Sequence, residues 1–459
     1  MVFSSIMFLF RFLPIALLIY YLTPRKFKNL VLFVESLIFY SWGEVRYFPI
    51  MIFSVALDYI ASNGMEKFRD NKRIKRLFLL MSIFGNMGML LFFKYTNFFV
   101  GNINAIFGTS IGYLHLTLPL GISFYTFQTM SYSIDVYRGK VEAEKNIIDF
   151  AAFVVLFPQL IAGPIVKYTD INYELKNRRM DLTQINEGVE TFIWGLGRKV
   201  LLANSIGALW TEVEAMNYTS ISSILAWLGI IAFALQIYFD FSGYSLMAIG
   251  LGKMLGFNFP QNFNHPYISK SATEFWRRWH ITLGSWFREY LYIPLGGNRC
   301  SKPRQIFNIF VVWAATGFWH GASWNFVLWG LFFFVLLVLE KNFYLGFLEK
   351  HKVISRFYII PMLLISWTLF AITDFTKLGQ YFRTMFTMQG GMDWVYYIRN
   401  YGFVMLICLV FATPIFENLI KKLTGKLSVV RYSILTLVLI VSVAYLVDAT
   451  YNPFLYFRF

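Results

Sequence analysis

The chain has 459 residues, of which 57% are hydrophobic and 14% charged, and its formal net charge is +16. So apolar a composition excludes an ordinary soluble domain, and the two cysteines, Cys300 and Cys408, are too few for a disulfide framework and neither is a site candidate. The basic residues gather in short connectors between apolar stretches, a pattern that reads as membrane topology and lipid contact, not nucleic-acid binding.

The amino-terminal stretch "MVFSSIMFLFRFLPIALLIYYL" is read as a retained first span, because Arg11 interrupts it and no small-residue cleavage pattern follows. The basic connector 24–28 leads into an out-and-back pair, Asn29–Gly43 and Tyr47–Gly64, and the connector 66–76 leads into Leu77–Phe93. Between Tyr113 and Val166 the apolar pattern is broken by Pro119, Gly121, Pro158, Gly163 and Pro164 into what read as short or re-entrant helices. Breaks of this kind are tolerated at membrane depth only where protein or a water-filled cavity surrounds them, so a cavity is expected there. After "KNRR" at 176–179 comes the span Ile221–Tyr238, followed by Asp240 and Ser242 in "YFDFSGYS". A carboxylate in such apolar sequence lines a cavity, orients a catalytic histidine or pairs within the helix bundle.

The segment Ser271–Gly297, "SATEFWRRWHITLGSWFREYLYIPLGG", is expected to be one amphipathic helix at the cytoplasmic interface. Ser271 and Glu274 fit a capping box, and Pro294 with Gly296 and Gly297 supplies a stop. At 100° per residue Phe275, Trp276, Trp279, Leu283, Trp286, Phe287 and Tyr290 share one face, while Arg277, Arg278 and Arg288 take the other. His280 falls on the border between them. The bland alternative is a simple interfacial anchor.

An uncharged run follows, Gln305 to Leu339, too long for one crossing at 1.5 Å per residue, so it must bend or turn back. Gly317 and Gly321 mark the natural break and place His320 at a turn between two helical arms. A polar ring at membrane depth costs free energy that something must offset, by function or by a helix-bridging hydrogen bond. Apolar surroundings penalise a charged imidazole, and a neutral one is a competent general base. No GxSxG elbow or nearby cysteine supplies a protein nucleophile, which leaves a substrate hydroxyl to be activated. A metal site is not expected, because no HxH, HxxxH or HExxH spacing occurs. His115, His265 and His351 look bland. The later spans Phe357–Thr373 and Tyr432–Val447, with the connector 421–426 between them, bring the total to roughly ten to twelve. The fold class is an all-α, multi-pass membrane protein, read as one membrane domain over 1–459, and not a barrel.

The blocks "FWRRWHITLGSWFREYLYIPLGGNR" and "TGFWHGASWNFVLWG" closely resemble the membrane-bound O-acyltransferases, in particular the bacterial branch that includes the alginate O-acetylation membrane protein. "PLGISFYTFQTMSYSIDVYRG", "FPQLIAGPI", "YFDFSGYS", "LIFYSWGEVRYFPIM" and the ending "NPFLYFRF" match as well, so the resemblance runs along nearly the whole chain. It implies a helical ring thinned at its centre by a tunnel, with His320 as the catalytic histidine and His280 contributing to activity. It further implies O-acyl transfer in the cell membrane, with no bound cofactor. The donor is a cytoplasmic thioester, acetyl-CoA by preference, and an extracytoplasmic acetyltransferase partner completes transfer to a polysaccharide acceptor. Trp276, Trp279, Arg277 and Arg278 would then border the donor's entrance, with Lys270 beside them; Trp319, Asn325, Asp240 and Ser242 are further candidate substrate contacts. D-alanyl transfer toward teichoic acid from a carrier protein is the close alternative. From another class, a proton-coupled transporter or flippase using Asp240 and the histidines remains open.

Overall fold

The computed structural model describes residues 2–161, 163–424 and 428–448; the block "NPFLYFRF" and the end of connector 421–426 lie outside the described residues. Every regular element among them is helical, as a solvent without hydrogen-bonding groups requires. Among the described residues, seven helices are long and apolar enough to cross a membrane: Phe48–Lys67, Lys72–Phe107, Ser223–Met254, Trp324–Lys350, Lys352–Ala371, Asp393–Phe411 and Val429–Asp448. Other apolar helices, Phe8–Leu22 and Lys28–Glu44 among them, are shorter.

The chain divides into two compact units, the first being Met1–Phe192 with Met247–Pro260. Its irregular stretch, 113–166, resolves into a largely exposed non-helical segment before Pro119 and the helices Ile122–Arg138, Ile147–Val155 and Phe157–Leu160. Left-handed glycines, Gly121 and Gly139, bound the first of these, and the helix between them is buried at almost every position. Protein packs around the helices from Ile122 to Leu160, most of whose residues are buried; the cavity described below is lined by other residues. Asp58 knits the unit together: Ser82 and Ser133 (2.7 Å) donate to one carboxylate oxygen and Asn86 (2.6 Å) to the other. A fully buried carboxylate is tolerable only with such a complete set of donors.

The second unit comprises Ile193–Leu246 and Gln261–Phe459. Lys199 meets Asp240 at 2.6 Å, both side chains being buried, so the aspartate is paired within the bundle. Farther along the chain, Lys302–His320 and Trp324–Leu339 form a tight helical hairpin. A Cβ added at Gly317 would meet the Phe326 carbonyl oxygen, and one at Gly330 the Trp313 carbonyl oxygen, each closer than 3.0 Å. Gly317 thus serves the contact between the arms, and the chain turns at Gly321–Ser323.

His265, which looks bland in sequence, is not. It adopts a left-handed backbone (φ 42°), and its Nε2 lies 3.4 Å from Glu417, which also pairs with Arg198 at 3.0 Å. The hydrogen bond from His265, helped by the Arg198 charge, holds the Glu417 carboxyl down at about 2. Because that value lies below the ordinary glutamate value, the stabilisation is present at neutral pH and is lost as pH falls through it. Glu417→Gln should therefore melt modestly below the wild type at neutral pH, the gap closing as pH drops from about 5 towards 2. Melting curves at a series of pH values check this.

Candidate active site

His320 is the last residue of its helix, and the next residue, Gly321, is already extended. Its ring is buried among Trp319, Trp329 and Phe370, with centroids at 5.0, 4.9 and 5.2 Å and all three contacts edge-on. Phe370 is held there by Asn325, whose amide donates to the carbonyls of Leu369 (3.1 Å) and Phe370 (3.3 Å). Asn325 thus fastens one wall of the site and spends its donors on backbone.

The segment read as one interfacial helix is two, Ala272–Arg278 and Ile281–Phe287, with a break at Trp279–His280. Its apolar and charged faces fall as the periodicity requires, yet His280 is not on a border: the ring is fully buried and the backbone is left-handed (φ 44°). The break has a tertiary cause. Asn264 N–H donates to Arg278 O and Ile281 N–H to Asn262 O, each at 2.9 Å, which draws the chain out of the helix. The first of the two helices starts at Ser271, which caps the Glu274 N–H at 3.0 Å, while the Glu274 carboxylate accepts from Lys270 N–H. A second carboxylate, the buried Glu340, accepts from the N–H groups of Ala272 (2.6 Å) and Thr273 (2.8 Å), where the helix dipole favours negative charge.

These helices and the hairpin border a cavity of about 570 Å³. Ile281, Leu283 and Phe287 line one side, Ile309, Val312, Trp313 and Thr316 another, and Arg277, Arg288 and Lys341 bring positive charge to it. Spacings of three and four put 309, 312, 313 and 316 on one stripe of the histidine's helix, and the next position on that stripe is His320. Trp276 and Trp329 stand between cavity and imidazole: Trp276 packs on Trp313 (4.7 Å) and Trp329 (5.6 Å), and Trp329 on His320. The indole N–H groups of both are buried and have no hydrogen-bond partner among the described residues.

The other sequence candidates are distributed unevenly. Arg277 and Trp276 line the cavity, whereas Arg278 is engaged by Glu274 (2.9 Å) and the Asn264 carbonyl (3.2 Å). Trp279 is buried against Phe275, Phe263 and Trp367, and neither it nor Lys270 is among the residues that line the cavity. Trp319 contacts both imidazoles, at 5.0 Å from His320 and 6.1 Å from His280. Ser242 is buried and its hydroxyl has no hydrogen-bond partner among the described residues, and Asp240 is committed to Lys199. Asn262, Trp329, Phe370 and Glu340 were not singled out in the sequence; a buried asparagine in "QNFNHPY" looks there like part of a polar turn.

The family model for the membrane-bound O-acyltransferases matches residues 142–374, which contain both histidines and the cavity. The chain is 41% identical to a probable alginate O-acetylase of Pseudomonas syringae pv. tomato, over 86% of its own length and 76% of the relative's. It is 37% identical to a peptidoglycan O-acetyltransferase of Helicobacter pylori, over 75% and 71%. To a teichoic acid D-alanyltransferase of Streptococcus thermophilus it is 29% identical, over 52% and 59%. A multi-pass membrane protein whose buried histidine closes a helical arm above a basic cavity, this chain belongs to the membrane-bound O-acyltransferase family and is an O-acyltransferase.

Proposed function

We propose that the protein takes an acetyl group from acetyl-CoA at the cytoplasmic face and passes it toward O-acetylation of an extracytoplasmic polysaccharide, a separate extracytoplasmic acetyltransferase completing the transfer. The observation that carries this reading is the stripe that runs from the basic cavity to His320. From Ile309 to His320 it climbs eleven residues, about 16 Å at 1.5 Å per residue. A CoA thioester has its phosphates at one end of a long, narrow arm and its reactive carbonyl at the other. Arg277, Arg288 and Lys341 would take the phosphates, the apolar stripe the arm, and the carbonyl would reach the imidazole. Names of relatives bear on the acyl group: both acetyl-transferring proteins stand closer to this chain than the D-alanyl-transferring one.

In the reaction, His320 accepts the proton of the attacking hydroxyl as its oxygen bonds to the thioester carbon. Collapse of the adduct breaks the C–S bond, and the imidazolium returns its proton to the departing thiolate, leaving an acetyl ester and free CoA. The buried indole N–H groups of Trp276 and Trp329 are donors of the kind that a developing oxyanion needs.

Proteoliposomes supplied with acetyl-CoA, a partner acetyltransferase and an acceptor should release free CoA. Arg277→Gln and Arg288→Gln should each raise the KM for acetyl-CoA by roughly three- to tenfold with little change in kcat, the effect shrinking at high salt. Unchanged KM in both variants would remove the cavity from donor binding. Accumulation of an unmodified solute with no thioester consumed would favour a transporter over the acyl-transfer reading.

A further inference from the structure

The geometry points to Asn262 as a positioning residue that locks His280 in its Nδ1-protonated form, so that Nε2 accepts a hydrogen bond from a hydroxyl or amide N–H of the bound substrate. This rests on the acyl-transfer reading above. The Asn262 side chain is fully buried, and one of its terminal atoms faces three groups: Thr282 N (3.2 Å), Thr282 Oγ1 (2.9 Å) and His280 Nδ1 (3.1 Å). A backbone N–H can only donate, so the atom facing it is the amide oxygen Oδ1. An amide oxygen can only accept, and the proton between it and the ring must therefore belong to Nδ1. A neutral imidazole protonated at Nδ1 carries a bare lone pair at Nε2.

That lone pair is buried and has no hydrogen-bond partner among the described residues. The ring packs against Phe241 (4.7 Å), Phe263 (6.4 Å) and Trp319 (6.1 Å), and among the described residues no hydrogen bond or ion pair joins it to a charged side chain. Burial alone pushes the pKa of the ring down to about 3, which keeps it neutral throughout the physiological range. A ring so reluctant to take a proton is a poor general base, yet it is a fixed acceptor. Strain supports the assignment: a non-glycine residue is held left-handed by the two backbone bonds from 262–264, as happens where a side chain must be aimed. Trp319 packs against both imidazoles, with centroids 6.1 Å from His280 and 5.0 Å from His320, so a single side chain links the two rings. His320 then removes the proton while His280 orients the group that carries it.

Three measurements test this. In nitrogen NMR of the histidine-labelled protein in nanodiscs, His280 should show a protonated Nδ1 and a bare Nε2 from about pH 5 to 9, and Asn262→Leu should abolish that single form. Asn262→Asp keeps the acceptor for Thr282 and so the fold, but its carboxylate favours the imidazolium, which has no lone pair. Its kcat/KM should fall by about tenfold or more below neutral pH and recover as pH rises, a limb absent from the wild type. His280→Gly preserves the left-handed backbone; in that background Asn262→Leu should cost nothing further in kcat/KM. A protonated Nε2, a wild-type pH profile in Asn262→Asp, or full additivity of the last pair would overturn the proposal. If the wild type transfers no acyl group at all, the functional reading falls, while the NMR arm still decides the form of the ring.

Discussion

Replacing His320 with alanine should abolish acyl transfer, with CoA release dropping by about a hundred- to ten-thousandfold, the range that a positioned general base contributes. A hydroxyl at neutral pH is almost wholly protonated, and the ring that would take its proton packs against Trp319, Trp329 and Phe370. Deleting the imidazole also leaves a hole among three aromatic rings, which by itself costs stability. His320→Gln, which fills more of that space, should be as inactive while melting closer to the wild type. CoA release and melting temperature, measured on the same preparations, separate the two effects. A fall of less than about tenfold in a folded variant would take His320 out of the chemistry.

The second large effect is structural. Gly317→Val or Gly330→Val should prevent the hairpin from closing, because the new side chain meets a carbonyl oxygen of the opposite arm and backbone cannot yield as a side-chain tip can. Overpacking usually costs about 1–3 kcal/mol; here it strikes backbone on both arms, so the loss should reach the upper end or beyond, enough to lower the yield of folded protein sharply. Activity should fall with it, since Gly317 lies three residues before His320. Gly346→Ala provides the contrast. Nothing lies within 4 Å of a Cβ there, and removing glycine from a helix should leave stability unchanged or raise it by up to about 1 kcal/mol. Size-exclusion profiles and thermal melts of the three variants decide the matter; a valine at 317 that behaves like the wild type would show that the arms are not in contact.

Sequence periodicity carried much of this architecture. An uncharged run longer than a bilayer is thick, with glycines in its middle, has to fold back, and it does so beside His320. The faces of 271–290 were equally legible, because the apolar stripe survives the break between the two short helices. The break itself was not, since its cause sits at Asn262 and Asn264, far away in the sequence and visible only as polar letters in a loop. The same limit explains Glu340 and Asp240. Each is a charge in apolar sequence, and whether such a charge serves chemistry or pairing depends on a partner, here helix-start N–H groups and Lys199, that no local pattern discloses. Arg277 and Arg278 are adjacent and identical in type, yet Glu274 occupies one and the cavity borders the other.

The indole partition formed by Trp276 and Trp329 bears on fidelity. A thioester exposed to bulk solvent beside an active base would be hydrolysed, wasting donor without modifying any polymer. Rings that shut water out of the chamber until an arm displaces them would make productive transfer outrun that side reaction, and would also keep the bilayer tight to protons between turnovers.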